Sequence, residues 1–181
     1  MEEITDEIIA TKVKQGDIDA YGVLVERYEN KLKKYGQKFL SHKEDIEDLV
    51  QDVFIKAYTN IQSFDPTQRF SPWIYRIAHN AFVNELKRKG RFSLGVFDPD
   101  TILPFLTAKE TADEATLEEE DGIEMEKILD NLSTKYKEVL ILHYFQELSY
   151  KEISAILQIP VTTVGVRISR AKKQLKQYHQ N

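Results

Sequence analysis

The sequence predicts an all-α protein: two small helical domains joined by a flexible linker, the second ending in a helix-turn-helix. Three observations lead there. Apolar residues recur at helical spacing through most of residues 5–90 and again after residue 122. No segment of useful length alternates apolar and polar residues as a half-buried strand would. Between residues 91 and 121 the periodicity lapses, broken by Gly95, Pro99 and Pro104 and closed by the charge run Glu118-Glu119-Glu120-Asp121. The expected domains are 1–90 and 122–181, with an acidic linker over 91–121 that holds at most a short helix near 110–119.

The elements follow in order. Ile4, Ile8, Ile9 and Val13 space a first helix, which Gln15-Gly16-Asp17 breaks. Asp17 is placed to cap the next, whose stripe runs Tyr21, Leu24, Val25, Tyr28, Leu32, Tyr35, Phe39 and Leu40. Ser41-His42-Lys43 interrupts it. Asp45–Tyr58 is a third helix with Ile46, Leu49, Val50, Val53, Phe54 and Ala57 inside. The Asp65-Pro66 pair marks a loop. Ser71-Pro72 then opens a fourth helix, proline in its first turn, through Trp73, Ile74, Ile77, Ala78, Phe82 and Leu86. In the second domain Ile123, Ile128, Leu129 and Leu132 share a stripe, and Ser133 is placed to cap a helix with Tyr136, Val139, Leu140, Leu142 and Phe145. Ser149 and Glu152 form a capping box ahead of Ile153, Ile156 and Leu157. Gln158-Ile159-Pro160 ends that helix and starts the last. There Val161, Val164, Ile168, Ala171 and Leu175 point inward, while Arg167, Arg170, Lys172, Lys173 and Lys176 stay outside or at the edges.

Composition narrows the function classes. The chain is 41% hydrophobic and 30% charged, as a globular protein is. It has no cysteine, which excludes disulfides, thiol catalysis and cysteine-bound zinc. The acidic start MEEITDEIIATKVKQGD predicts no signal peptide, and no apolar run predicts a membrane span. The net charge of −5 hides a segregation: acidic residues gather at Glu44–Asp52 and Glu110–Glu126, basic ones at Lys31–Lys38, Lys87–Arg91 and Arg167–Lys176. The four histidines are too scattered for a metal site.

Three features carry candidate chemistry. The closing helix pair, with its basic second helix, fits a helix-turn-helix in a DNA major groove better than the alternative, an ordinary helical hairpin with a solvated lysine face. Asp45, Asp48 and Asp52 share one face of the third helix, either merely solvated or docking a basic partner. Phe64, Phe70, Trp73, Tyr75 and Phe82 lie among Arg69, Arg76, Lys87, Arg88 and Lys89; such rings suit stacking on unpaired bases, or they are core. The loop Gln62–Ser71 is long enough to hold an extruded base.

The segments GDIDAYGVLVERYENKL, DIEDLVQDVFIKAY, FSPWIYRIAHNAFVNELKRK and LSTKYKEVLILHYFQELSYKEISAILQIPVTTV resemble, in the family's order, the sigma factors of bacterial RNA polymerase, in particular the extracytoplasmic-function class. The resemblance implies a transcription initiation factor that binds core RNA polymerase, directs it to specific promoters and assists melting. It implies that Asp45, Asp48, Gln51 and Asp52 dock the polymerase. It assigns Phe64, Arg69, Phe70, Trp73, Arg76, Asn80, Lys87 and Arg88 to the separated strand of the −10 element. It assigns His143, Thr162, Thr163, Arg167, Arg170 and Lys173 to the −35 duplex. The linker resembles the connector that threads near the RNA exit path. No cofactor, metal or active site is implied, since the polymerase supplies the chemistry. The expected setting is the cytoplasm without membrane insertion, and the expected partners are core polymerase, promoter DNA and, as in many members, an anti-sigma factor.

Departures from the family pattern concentrate in the recognition helix. Thr162 stands where glycine is usual, Gly165 where a basic residue is, and Val166 where a small polar one is; Asn84 replaces an aspartate and His143 a frequent arginine. Two other functions fit the residues without the resemblance: an autonomous dimeric helix-turn-helix regulator, and a metal-dependent nucleic-acid-processing enzyme built on the Asp45–Asp52 carboxylates.

Overall fold

The computed structural model describes residues 4–89 and 132–178, with side chains through residue 175. The expected linker, the short helix near 110–119 and the stripe at Ile123, Ile128 and Leu129 lie outside the described residues. The chain divides into two compact units between Ser93 and Leu94. Every regular element among the described residues is helical.

In the first unit α1 (Asp6–Lys14), α2 (Ile18–Gly36), α3 (Lys43–Thr59) and α4 (Phe70–Arg88) pack around one core, with a 3₁₀ turn at Ile61–Ser63. Asp17 caps α2 as its position predicts, its carboxylate accepting the Ala20 N–H at 3.0 Å. Gly16, at φ +100°, makes the left-handed turn that lets α2 reverse onto α1. Leu24, Leu32 and Tyr35 of α2, Val50 and Val53 of α3, and Phe70, Ile74, Tyr75 and Phe82 of α4 are fully buried. Gly36 allows the closest approach of α2 and α4: a Cβ there would lie 2.7 Å from the Phe82 ring. Ile4 and Ile8 depart from their expected inward places and are exposed, because α1 buries Ile9, Ala10 and Val13 instead.

α4 begins at Phe70, just ahead of the expected Ser71-Pro72 start. Its N-cap, Arg69, makes no side-chain cap. The Phe70 N–H is instead taken by the Glu7 carboxylate of α1 at 2.9 Å, a cap from 63 residues away.

In the second unit α5 (Thr134–Leu140) runs into a π-type turn at Ile141–Phe145, followed by α6 (Tyr150–Leu157) and α7 (Val161–Tyr178). The Ser133 hydroxyl does not cap α5; the residue's carbonyl accepts the Tyr136 and Lys137 N–H groups at 2.9 and 3.1 Å. The Ser149–Glu152 capping box forms in both directions, at 3.3 and 2.7 Å. Gln158, left-handed at φ 55°, closes α6. Leu132, Tyr136 and Leu140 pack on Ala171 and Leu175, while Ile153, Ile156, Val164 and Ile168 fill the space between α6 and α7. Val161 and Phe145, expected inside, are exposed: one opens α7 before the helix meets its neighbours, and the other closes the π-type turn.

Candidate polymerase and nucleic-acid interfaces

The carboxylates of α3 do not act alike. Asp45 is half-buried and bonded to the Lys89 ammonium beyond the end of α4. That hydrogen bond holds its carboxyl below the usual range. Asp48, Gln51 and Asp52 are exposed. Beside them lies Ile55, 61% exposed, three residues after Asp52 and four after Gln51, so it belongs to their face. Tyr58 extends the face and packs on Tyr21 at 5.1 Å between ring centres. An exposed isoleucine ringed by polar groups is the composition of a protein-docking patch. The sequence signal for it was available: Ile55 lies off the core stripe of α3.

On α4 the aromatics and the polar groups separate. Phe64, Phe70 and Trp73 form a triangle with ring centres 5.3 to 5.5 Å apart. Phe64 and Phe70 are buried, so they are core supports and not stacking platforms for a base, contrary to expectation. Trp73 is half-buried and keeps an open flank. Arg76, Asn80, Asn84 and Lys87 are exposed at spacings of four, four and three, hence on one face. Arg69 is exposed where the loop enters α4. Arg88 is exposed but grips Glu85 through two bonds of 2.6 and 2.7 Å, which lowers the Glu85 carboxyl and raises the guanidinium. His79, on the inner side, has its Nδ1 3.0 Å from the Tyr35 hydroxyl, and burial pushes it down to about 4.

α7 also presents fewer of its expected contacts than its charge suggests. Thr162 and Lys173 are exposed and Arg170 is half-buried. Thr163 and Arg167 turn inward, at 0% and 7% exposure. Arg167 bonds the equally buried Glu138 of α5 at 3.2 Å. Both are therefore packing residues in this structure, because the buried stripe of α7 is wider than its aliphatic residues alone mark out. Gly165 faces open space apart from the Tyr150 ring, 3.6 Å from a built Cβ. His143 lies between Tyr144 and Tyr150, its Nδ1 2.9 Å from the Leu148 carbonyl. A carbonyl only accepts, so Nδ1 donates this bond and is turned away from solvent.

The chain matches the family models Sigma-70 region 2 over residues 24–92 and Sigma-70 region 4 over residues 123–175. It is 35% identical over 179 residues to the ECF RNA polymerase sigma factor SigW of Bacillus subtilis, covering 91% of each chain. The chain belongs to the ECF sigma factors. The ECF RNA polymerase sigma-E factor of Haemophilus influenzae is 34% identical, over 97% of this chain and 95% of that one. Among solved structures, CnrH in complex with the cytosolic domain of CnrY aligns at a TM-score of 0.65 and 26% identity, over 97% of both chains. The sigma factor RpoE of Bartonella quintana, solved with the anti-sigma factor NepR, also aligns at 0.65, at 21% identity over 90% of this chain and 98% of that one, which speaks for the fold. This sigma factor is thus a DNA-binding transcription initiation factor that directs core RNA polymerase to promoters. No described helix is long and apolar enough to cross a membrane. Among the described residues no three potential ligands gather as a metal site would require.

Proposed function

We propose how the work is divided among the residues. Asp48, Gln51 and Asp52, with Ile55, dock the core polymerase; Asp45 instead ties α3 to α4 through Lys89. Trp73, Arg76, Asn80 and Lys87, flanked by Arg69 and Arg88, take up the separated −10 strand and so assist melting. Thr162, Arg170 and Lys173 contact the −35 duplex, with His143 beside them. The protein performs no chemistry of its own, acts in the cytoplasm with the polymerase, and is open to an anti-sigma partner; the solved relative CnrH is itself bound to the cytosolic domain of CnrY.

The observation that carries this reading is the pairing of opposite surfaces on neighbouring helices. α3 exposes carboxylates around an apolar residue, and α4 exposes an aromatic edge followed by Arg76, Asn80 and Lys87. The first suits a protein partner and the second suits unpaired nucleic acid. Run-off transcription with core polymerase tests both. Asp48→Lys and Asp52→Lys are expected to weaken core binding by about tenfold or more, through charge reversal at the interface. Arg76→Ala with Asn80→Ala is expected to leave core binding intact and abolish opening. A wild-type protein that yields no promoter-dependent transcript while binding duplex DNA alone would refute the assignment.

A further inference from the structure

α1 lies wholly before the part of the chain that the region 2 family model matches, which starts at residue 24. It nevertheless makes the long-range bonds that shape the loop leading into α4. At one end of the loop the Lys14 ammonium donates to the Phe64 carbonyl at 2.7 Å, and the Gln62 amide donates back to the Lys14 carbonyl at 2.9 Å. At the other end the Glu7 carboxylate accepts the Phe70 N–H at 2.9 Å. Between these pins, Asp65 accepts from the Thr67 N–H and hydroxyl at 2.9 and 2.8 Å and makes a local turn. Asp65, Pro66, Thr67, Gln68 and Arg69 all remain exposed.

α1 is itself held firmly. Asp6 bonds Arg27 at 2.6 Å and the Tyr28 hydroxyl at 2.5 Å, and Ile9, Ala10 and Val13 are buried. Glu7 and Lys14 are seven residues apart on one rigid helix, about two turns. They grip both ends of the loop. The two pinned residues, Phe64 and Phe70, are also the rings that support Trp73. A displacement of either pin therefore moves the loop and the aromatic edge together.

We propose that α1 is the positioning element of the −10 reader, with Glu7 and Lys14 as positioning residues that set the loop 64–70 and the tilt of Trp73 without touching DNA. This rests on the assignment of α4 and its loop to the separated −10 strand. The consequence concerns discrimination among bases, since a reader displaced by a fraction of its contact distance still binds phosphate but loses base-edge contacts.

The test uses the full chain with core polymerase and promoters carrying single-base changes in the −10 element, with a second set changed in the −35 element. Glu7→Ala and Lys14→Ala are expected to lower the preference for the best −10 base over its substitutes by about tenfold, the size of one lost base contact. Discrimination within the −35 set and affinity for core polymerase should hold. Glu7→Gln keeps an acceptor for the Phe70 N–H and should recover most of the preference. Trp73 emission should shift in the alanine variants and return in Glu7→Gln. If the alanine variants fold poorly, Gln62→Ala removes the exposed third bond and should lower the −10 preference by about threefold. Unchanged −10 preference in the folded variants would overturn the proposal, as would an equal loss across both promoter sets. A wild-type protein that directs no promoter-dependent transcript would instead overturn the assignment beneath it.

Discussion

Acidification should destabilise the first unit by way of His79 before any carboxylate matters. The ring sits on the inner side of α4, with Nδ1 3.0 Å from the Tyr35 hydroxyl and the Phe39 ring centre 5.8 Å away. Burial lowers it from 6.5 to about 4, so the folded unit keeps it neutral while the unfolded chain protonates first. The neutral preference stabilises the fold fully above the unfolded value. That stability is lost as the pH falls through the window from 6.5 to about 4, and the loss levels off below it. At about 1.4 kcal/mol per unit the limiting loss is about 3 kcal/mol, and about 2 kcal/mol is gone by pH 5. Asp45, Asp65 and Glu85 are also held low, but their contributions disappear only as the pH drops below ordinary carboxylate values. Trp73 is the chain's single tryptophan, so urea titrations followed by its emission report the first unit alone. His79→Gln keeps a polar partner for Tyr35 and removes the titration. Wild type should lose about 2 kcal/mol between pH 7 and pH 5, and the variant little. Equal losses in both would refute the reasoning.

Four further outcomes follow from the local geometry. Gly36→Ala should destabilise the first unit by about 2 kcal/mol, because its Cβ meets the Phe82 ring and that ring is stacked on Phe39; urea titration by Trp73 emission measures it. Glu138→Ala should cost the second unit about 3 kcal/mol by removing the carboxylate from the buried Arg167, seen as an earlier thermal transition by circular dichroism. Gly165→Ala should stabilise α7 by about 1 kcal/mol, since only the Tyr150 ring approaches and at ordinary contact distance. In the same space Gly165→Arg should tighten duplex binding and steepen its salt dependence by about one counterion; an unchanged salt slope would place residue 165 away from phosphate.

Much of this architecture was legible along the chain. Helical periodicity placed α1 through α4 and α5 through α7 within a few residues, and short-range chemistry placed the Asp17 cap and the Ser149–Glu152 box. These are local properties: a repeat of three and four residues and a side chain reaching its own helix end are both complete within one turn. The ordered motifs were equally local and identified the family, as the matches to both sigma regions and the curated relatives show.

Other assignments depended on what each surface meets. Periodicity names an inward face but not its width, so Arg167 read as outside or at the edge until folding paired it with the buried Glu138 of α5. Aromatic rings among basic residues read alike as base platforms or core, and only burial separated them, with Phe64 and Phe70 inside and Trp73 half-buried. Asp45 and Asp48 carry the same charge on one face, yet Lys89 reaches only the first among the described bonds. The cap on α4 comes from Glu7, 63 residues earlier. The sequence by itself determined which segments are helices and which family they compose, because those depend on neighbours a few residues apart. The tertiary structure decided which polar groups remain available to a partner, because burial and pairing depend on residues that only folding brings together.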